Sequence, residues 1–252
     1  MYYWLLRVGL QTIGRLSDGI RLGWRTGFDS GVMLEYIYEN QPRGITPLGV
    51  WFDRMFIAHP VWDGVRSRRQ FLIGQLQQAL SHYDHPLVVD LAAGVGSYLF
   101  TIPPGRATII AGDYEPEAVA QGQDKANRLG RTDITFQRHN AFVLSELASD
   151  RADILVASGF FDILTDDQQI QTVLQNGSAI TPPGARWVFT IQEHHPDLKL
   201  LKQSLVDLNQ RPWELVPRPA EQLVAWAEPY GWHLETLERN QFFAVGTLVK
   251  QH

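Results

Sequence analysis

Residues Leu87–Phe100 read LVVDLAAGVGSYLF. An apolar run ends in Asp90, small residues and two glycines follow, Gly94 and Gly96, and apolar residues then resume. A short apolar run closed by glycines reads as a buried strand that turns sharply toward a helix. Such a turn can hold a ligand against the backbone, because glycine reaches positive φ and has no Cβ in the way. The ligand could be a dinucleotide, a phosphate or something else.

Outward from this stretch the texture is regular. ATIIAGDY reads as a second strand ending at Asp113, and PEAVAQGQDKANRLG as a helix with Pro116 in its first turn and Gly130 at its end. DITFQRHNAF, ADILVASGFFDIL and ARWVFTIQEHHP each read as a strand and its exit, with DDQQIQTVLQNGSAI as a helix between the last two. AEQLVAWAEPYGW is helical, and HLETLERNQFFAVGTLVK reads as two strands joined by a turn. Alternating strands and helices imply an α/β fold: a doubly wound, mostly parallel seven-stranded sheet whose closing pair forms an antiparallel edge.

The first 80 residues read as interrupted helix. Leu6, Leu10, Ile13, Ile20 and Trp24 recur near helical spacing, with Arg7, Arg15, Arg21 and Arg25 among them and Asp18 as the one acid. The pattern fits a helix covering the main domain, or a helix lying on a membrane surface. NQPRGITPLG is a loop, and VWDGVRSRRQFLIGQLQQAL a helix leading to the first strand. The expected organisation is an N-terminal helical cap over residues 1–80, above the ligand cleft, and a binding domain over 81–252.

Composition narrows the function. The chain has 252 residues, 44% apolar and 19% charged, with a net charge of −5. That supports a sizeable core and argues against a nucleic-acid binder. No cysteine is present, so disulfides, thiolate metal sites and cysteine nucleophiles are excluded. No His/Asp/Glu cluster has metal-ligand spacing, so no metal is expected. No apolar run reaches the roughly 20 residues of a bilayer span. MYYWLLRVGL lacks a basic leader and is broken by Arg7, so no signal peptide is expected and the cytoplasm is the expected compartment.

The glycine turn disfavours two ligands. A dinucleotide fingerprint wants Gly or Ala where this chain has Leu99, and a phosphate-cradling loop wants a Gly-Lys-Ser/Thr that is missing. Asp90, before the glycines, suits a cation better than a pyrophosphate. Asp113 lies about 20 residues on, the distance for an acid that grips a ribose hydroxyl pair. A ribose and a positive group without phosphate describe S-adenosylmethionine.

VVDLAAGVGSY, AGDYEPEAVAQGQ, ITFQRHNAF, VASGFFDILTDD and EHHPDL together resemble the class I S-adenosylmethionine-dependent methyltransferases. They are most similar to a methyltransferase family sometimes found fused to an α/β-hydrolase domain. The lead-in FDRMFIAHPVWDGVRSRR shares the likeness, which spans about residues 50 to 235. The resemblance implies a Rossmann-like methyltransferase fold. It implies that Asp90, Ala92, Gly94 and Gly96 line the methionine portion, with Asp90 near its amino group. It further implies that Asp113 holds the ribose hydroxyls with Tyr114 flanking the ring, that Asn140, Ala141 and Phe142 meet adenine, and that Ser158, Gly159 and Phe160 lie beneath the sulfonium. The chain departs from the pattern in three places. Asn140 stands where Asp is common, His194-His195-Pro196 lacks the usual Trp, and Pro103-Pro104 must shorten the helix after the glycines.

Methyl transfer from a sulfonium is an in-line displacement in which positioning supplies much of the acceleration. A base is needed only if the acceptor loses a proton. His194, His195 and Glu193, at the end of the fifth strand, are candidates, their alternative role being loop hydrogen bonds. Asp162 is another, or else caps the next helix. His59, Trp62 and Tyr36 could form a lid, but packing is the favoured reading. Arg66, Arg68 and Arg69 could reach an anionic group, but a solvated helix face is favoured. The acceptor is expected to be a small or lipid-like molecule, the latter because Tyr2, Tyr3, Trp4, Leu5 and Leu6 sit beside arginines. Peripheral membrane contact would follow from the same helix. The rival readings are a dinucleotide-dependent oxidoreductase and a non-catalytic cofactor-binding module.

Overall fold

A computed structural model describes residues 2–147 and 151–251. The chain runs through α1 (Tyr2–Gln11), α2 (Asp18–Thr26), α3 (Gly31–Glu39), α4 (Pro47–Ile57) and α5 (Pro60–Leu80) before the first strand. There follow β1 (Leu87–Asp90), β2 (Thr108–Asp113), α6 (Pro116–Arg128), β3 (Ile134–Arg138), β4 (Ile154–Ala157), α7 (Asp167–Ala179) and β5 (Arg186–Gln192). The chain closes with α8 (Leu198–Ser204), α9 (Ala220–Ala227), β6 (Trp232–Arg239) and β7 (Phe243–Lys250). It divides into two compact units. A helical unit holds residues 1–66 and 195–215, and a sheet unit holds 67–194 and 216–252.

The sheet unit contains one seven-stranded sheet in the order β3-β2-β1-β4-β5-β7-β6. β1 to β5 pair in parallel, and β7 runs antiparallel to both β5 and β6. The closing hairpin is thus inserted the opposite way from a simple antiparallel edge. β7 enters next to β5, and β6 takes the edge while pointing the same way as β1 to β5.

Side chains on a strand alternate between faces, and the core splits accordingly. Val89, Leu155, Ala157, Trp187 and Phe189 join the buried residues of α7 and α9 in one cluster. Val88, Ile154, Val156 and Val188 join Leu72, Leu76, Ala79 and Leu80 of α5 in the other. Both faces are covered, which is why these strands are almost continuously apolar.

The helical unit does not carry the single apolar stripe that its spacing suggests. The helix stops at Gln11, a short 3-10 turn spans Ile13–Leu16, and Ile13 is 57% exposed. Ser17 then starts α2 by accepting the Ile20 amide at 3.0 Å. Its hydroxyl also donates to Asp53 at 2.6 Å. Asp53 is fully buried and takes three further donors, the amides of Gly19 and Arg43 and the hydroxyl of Tyr36. Asp53 therefore ties α2, α3 and α4 together, and Tyr36 is committed to that bond.

Candidate active site

In an open α/β sheet ligands bind outside the carboxyl ends of the strands, at the point where the strand order reverses. Here β1 is that point: Asp90 pairs with Ala111 of β2 on one side and Val156 of β4 on the other. Asp90 and Asp113 end their strands, Asn140 follows β3, Ser158 and Gly159 follow β4, and His194 follows β5. The sheet thus brings all of these to one edge.

Gly94 and Gly96 have φ of +60° and +64°, which glycine alone adopts easily. A Cβ on Gly96 would also lie 2.9 Å from the Phe136 ring. The turn is stitched to the neighbouring strand. The Gly94 amide donates to Asp113 Oδ2 at 2.7 Å, and the Ala93 amide to the Gly112 carbonyl at 2.9 Å. After the glycines comes only a three-residue 3-10 turn, Leu99–Thr101, before Pro103 and Pro104. The shortening expected from those prolines is complete, and no helix opens at this loop.

Asp90 is wholly buried. It accepts the Tyr98 hydroxyl and the Ala92 amide, the latter at 3.2 Å. Burial pushes its carboxyl up to about 7, against the pull of those two bonds. Asp113 is half-buried and accepts the amides of Gly94 and Glu115, the second at 2.8 Å. Burial raises its pKa too, with the backbone amides opposing. A carboxylate offers about four lone-pair sites, and the amides of Gly94, Glu115 and Tyr114 do not fill them, so Asp113 keeps capacity for a further donor.

Around this pair, Tyr114 is 60% exposed, with the Arg138 guanidinium 5.2 Å over its ring. The Asn140 carbonyl oxygen accepts the Phe142 amide at 3.1 Å. Ala141 is buried, and the Phe142 ring centroid lies 6.3 Å from that of Phe160. Ser158 and Phe160 are buried, and Gly159, at φ +70°, donates its amide to Thr190 at 2.8 Å. Two buried polar atoms on these loops, Ser97 Oγ and His139 Nε2, have no partner among the described residues. Sequence patterns gave no reason to single out either, since an orphaned atom shows only in three dimensions.

The remaining candidates fall in different surroundings. Asp162 does not cap α7; Asp166 does, accepting the Gln168 amide at 2.9 Å. Asp162 instead faces Arg68 at 3.7 Å, with both side chains only 3–4% exposed, and accepts the Gln192 amide. Burial lifts its pKa to about 6, chiefly against the Arg68 charge. Arg68 is therefore not on a solvated helix face. A buried carboxylate and the Phe243 ring, 5.0 Å away, hold it inside. Arg66 belongs to the helical unit, where it pairs with Asp63 and donates to the Ile57 carbonyl at 3.0 Å.

Glu193 accepts the Ala220 amide at 2.9 Å at the start of α9 and pairs with Arg239. His194 is exposed and stacks on Phe242. His195 lies in the helical unit, buried, its Nδ1 accepting the Asp197 amide at 3.0 Å. His59 and Trp62, in the same unit, line a cavity with His195. Among the described residues, no His/Asp/Glu group could hold a metal ion and no helix is long and apolar enough to cross a membrane.

A family model described as "Putative methyltransferase" matches residues 1–242. The uncharacterized protein YnbC of Escherichia coli (strain K12) is 30% identical over 222 residues, covering 84% of this chain and 38% of YnbC. The chain thus spans well under half the length of that relative. Among solved structures, a Bordetella parapertussis protein described as a possible exported protein superposes with a TM-score of 0.71 at 21% identity, over 88% of this chain and 80% of that one. The N-methyltransferase NodS of Bradyrhizobium japonicum WM9, solved with S-adenosyl-L-homocysteine, gives 0.57 at 15% identity, over 87% and 99%. A SAM-dependent methyltransferase of Methanosarcina mazei gives 0.55 at 14% identity, over 67% and 94%. At identities this low, the superpositions show a shared fold. With a family match over nearly its whole length, the chain belongs to this methyltransferase family.

Proposed function

We propose that the chain is an S-adenosylmethionine-dependent methyltransferase acting on a small or lipid-like acceptor. The observation that carries this is the pairing of Asp90 and Asp113 around a glycine turn from which no helix opens. A dinucleotide's pyrophosphate is normally held at a helix N-terminus, and this loop has none to offer. Two acids instead favour a ligand with hydrogen-bond donors and a positive charge.

The residues present fit that ligand. Asp113 keeps lone-pair capacity for the ribose hydroxyls. Asp90, directly or through water, would take the ammonium, and Ala92, Gly94 and Gly96 would let the methionine portion approach the backbone. Tyr114 would flank the ribose. Asn140, Ala141 and Phe142 would meet adenine, and Ser158, Gly159 and Phe160 would lie beneath the sulfur. Ser97 Oγ and His139 Nε2 supply two further polar atoms to be satisfied on the same loops.

When bound, S-adenosylmethionine supplies a methyl group on a positively charged sulfur, set for in-line displacement. The protein's part is to orient and desolvate. An acceptor that sheds a proton could pass it to His194 or to Asp162, whose raised pKa brings it closer to neutrality. His195 serves differently. Its Nδ1 accepts an amide, so its neutral ring carries the hydrogen on Nε2. The lipid-like option rests on α1, whose Tyr2, Trp4 and Leu5 are exposed.

Calorimetric titration with S-adenosylmethionine, S-adenosylhomocysteine and NADH tests the reading. Micromolar binding of the first two, lost in Asp113→Ala, is expected. Binding of NADH alone would make the protein an oxidoreductase. For the lipid-like option, vesicle co-sedimentation should recover full-length protein but not a variant lacking residues 1–30; equal recovery discards that option.

A further inference from the structure

We infer that the helical unit holds a binding site for an aliphatic hydrocarbon chain, whose end enters an apolar chamber and whose length lies along an exposed stripe of α4. Binding there stands independently of the methyltransferase reading.

The unit contains a cavity of about 180 Å³. Leu10 of α1, Phe28, Trp62, Leu201 of α8, Leu205 and Trp213 contribute apolar wall, and all but Leu10 are buried. Protein interiors close-pack, and a hollow of this size forfeits contacts on every side unless something fills it. An apolar cavity of about 150 Å³ stays dry and binds benzene. This one therefore has room for a hydrocarbon segment of at least that size.

Three lining residues are polar, and they are engaged with one another and with the backbone. His59 Nδ1 accepts the Val61 amide at 3.4 Å, and its Nε2 lies 3.4 Å from Asp197 Oδ2. The Asp197 amide donates to His195 Nδ1 at 3.0 Å. His59 is exposed and Asp197 half-buried, so water serves whatever capacity these two keep. Trp213 Nε1 has no hydrogen-bond partner among the described residues, but it is buried where a ligand could not reach it. Among the described residues no Lys or Arg lines the chamber, so an anionic group inside would find no counter-charge. A polar group carried inside would lose its water against leucine, phenylalanine and tryptophan and gain nothing in return. The part of a ligand that enters is therefore hydrocarbon.

The mouth decides the ligand's shape. Met55 of α4 lines the chamber and is 58% exposed, so it stands at the opening. Trp51 and Leu48, four and seven positions before it, share its face of the helix, and each is 51% exposed. The three form an apolar stripe that runs out from the mouth for roughly 10 Å, at about 1.5 Å per residue. Large apolar side chains exposed in a row mark a binding surface, unlike single ones scattered over a protein. A compact ring would fill the chamber and leave the stripe in water. A chain covers both.

Calorimetry on the full chain with straight-chain alcohols from n-butanol to n-decanol tests this, the hydroxyl staying in water at the open end. One saturable site is expected, tightening about fourfold per methylene, because each buried CH₂ contributes about 0.8 kcal/mol, until chamber and stripe are covered. Hexanediol with a hydroxyl at each end should bind about tenfold weaker than n-hexanol, since it must bury one of them. Leu201→Trp fills the chamber and should weaken n-octanol about tenfold or more. Should that variant fail to fold, Met55→Asp puts a carboxylate in the mouth from an exposed position and should weaken n-octanol to about the same degree. Trp51→Ala breaks the stripe and should weaken n-decanol about threefold or more while leaving n-butanol unchanged. Native mass spectrometry after incubation with phosphatidylcholine vesicles separates two sources of the chain. One lipid retained per protein identifies a membrane lipid; protein that retains none and still binds n-octanol takes a free amphiphile, and either result upholds the site. Absence of saturable alcohol binding overturns it, as does an affinity indifferent to chain length, hexanediol bound as tightly as n-hexanol, or binding that Leu201→Trp and Met55→Asp both leave unchanged. Unaltered n-decanol affinity in Trp51→Ala overturns the role of the stripe.

Discussion

Asp53 in the helical unit and Asp113 in the sheet unit are both carboxylates drawn onto backbone amides, but to different extents. Asp53 receives Ser17 Oγ and the Gly19 amide on one oxygen, and the Tyr36 hydroxyl and the Arg43 amide on the other. That fills the capacity of the group and leaves no site for a ligand. Asp113 receives the amides of Gly94 and Glu115 and stays half-buried. A saturated carboxylate holds a fold together; a half-saturated one at a strand end is fixed in position with capacity in hand. The same distinction separates Tyr36, whose hydroxyl is raised well above its usual range by burial and by Asp53, from Tyr114, which stands exposed.

The sharpest way to break the comparison is Asp53→Ala. It strands four donors at once, three of them buried, and removing one partner from a buried charged network costs about 3–5 kcal/mol. Urea denaturation should show a loss of that size. The S-adenosylhomocysteine affinity of protein that remains folded should change by less than about threefold on this view. A large loss of affinity without loss of stability would mean that Asp53 is not a structural carboxylate.

Second is Asp113→Ala. Two hydrogen bonds to a charged group, at about 1.5–3 kcal/mol each, set an affinity loss of at least about 100-fold for S-adenosylhomocysteine. Stability should fall by less than in Asp53→Ala, because the Gly94 and Glu115 amides left behind are only part-buried and water can reach them. If stability falls as far as in Asp53→Ala, the contrast between the two carboxylates collapses.

The sheet unit was largely legible in the sequence, for a physical reason. Strands buried on both faces must be nearly all apolar, and the turns between them need Gly, Pro and Asp at fixed offsets, so Asp90, Gly94, Gly96 and Asp113 announce themselves. The helical unit was not. Ile13 continues the helical spacing and yet lies exposed, because Ser17 starts a new helix under the pull of Asp53, a residue far away in sequence. Arg68 resembles the arginines around it until Asp162, in a distant segment, buries it. Composition also could not show that His194 and His195, adjacent in the chain, belong to different units. Local periodicity reports which face of an element is apolar; it does not report which polar side chain will be drawn inside by a partner remote in sequence.

Third comes acidity. The Asp90 carboxyl sits near 7 in the folded protein because burial disfavours its charge, against an ordinary value of 3.8. The folded state therefore holds a proton that the unfolded chain has already lost between those values. Stability must fall as pH rises from about 4 to about 7 and level off above. Between pH 5 and 7 this amounts to on the order of 2 kcal/mol. Asp90→Asn should remove that share of the slope in urea denaturation series. A cationic ligand beside Asp90 reverses the preference, since an opposite charge favours the ionised form. Binding of S-adenosylhomocysteine near pH 6.5 should then release protons, seen as a dependence of the calorimetric heat on the buffer. Asp90→Asn should abolish that dependence. Binding without proton release would place the ammonium elsewhere and leave Asp90 as another structural carboxylate, like Asp53.

The smallest effect belongs to Tyr114, and it is the finest probe of the comparison. Its ring is 60% exposed and is already attended by Arg138 at 5.2 Å, so it contributes little to the fold. Its removal should leave the melting temperature within about 2 °C, since exposed positions away from buried networks shift stability by only about 0.5 kcal/mol. An aromatic face beside a bound nucleoside contributes about 1 kcal/mol, so Tyr114→Ala should weaken S-adenosylhomocysteine about fivefold. Tyr114→Phe keeps the face and should retain wild-type affinity. If Phe fails to rescue, the hydroxyl and not the ring meets the ligand, and the open edge beside Asp113 is polar on both sides. If neither variant changes affinity, the ligand does not reach Tyr114, and the spare capacity of Asp113 must be directed inward, toward Gly94, instead of outward along the edge of the sheet.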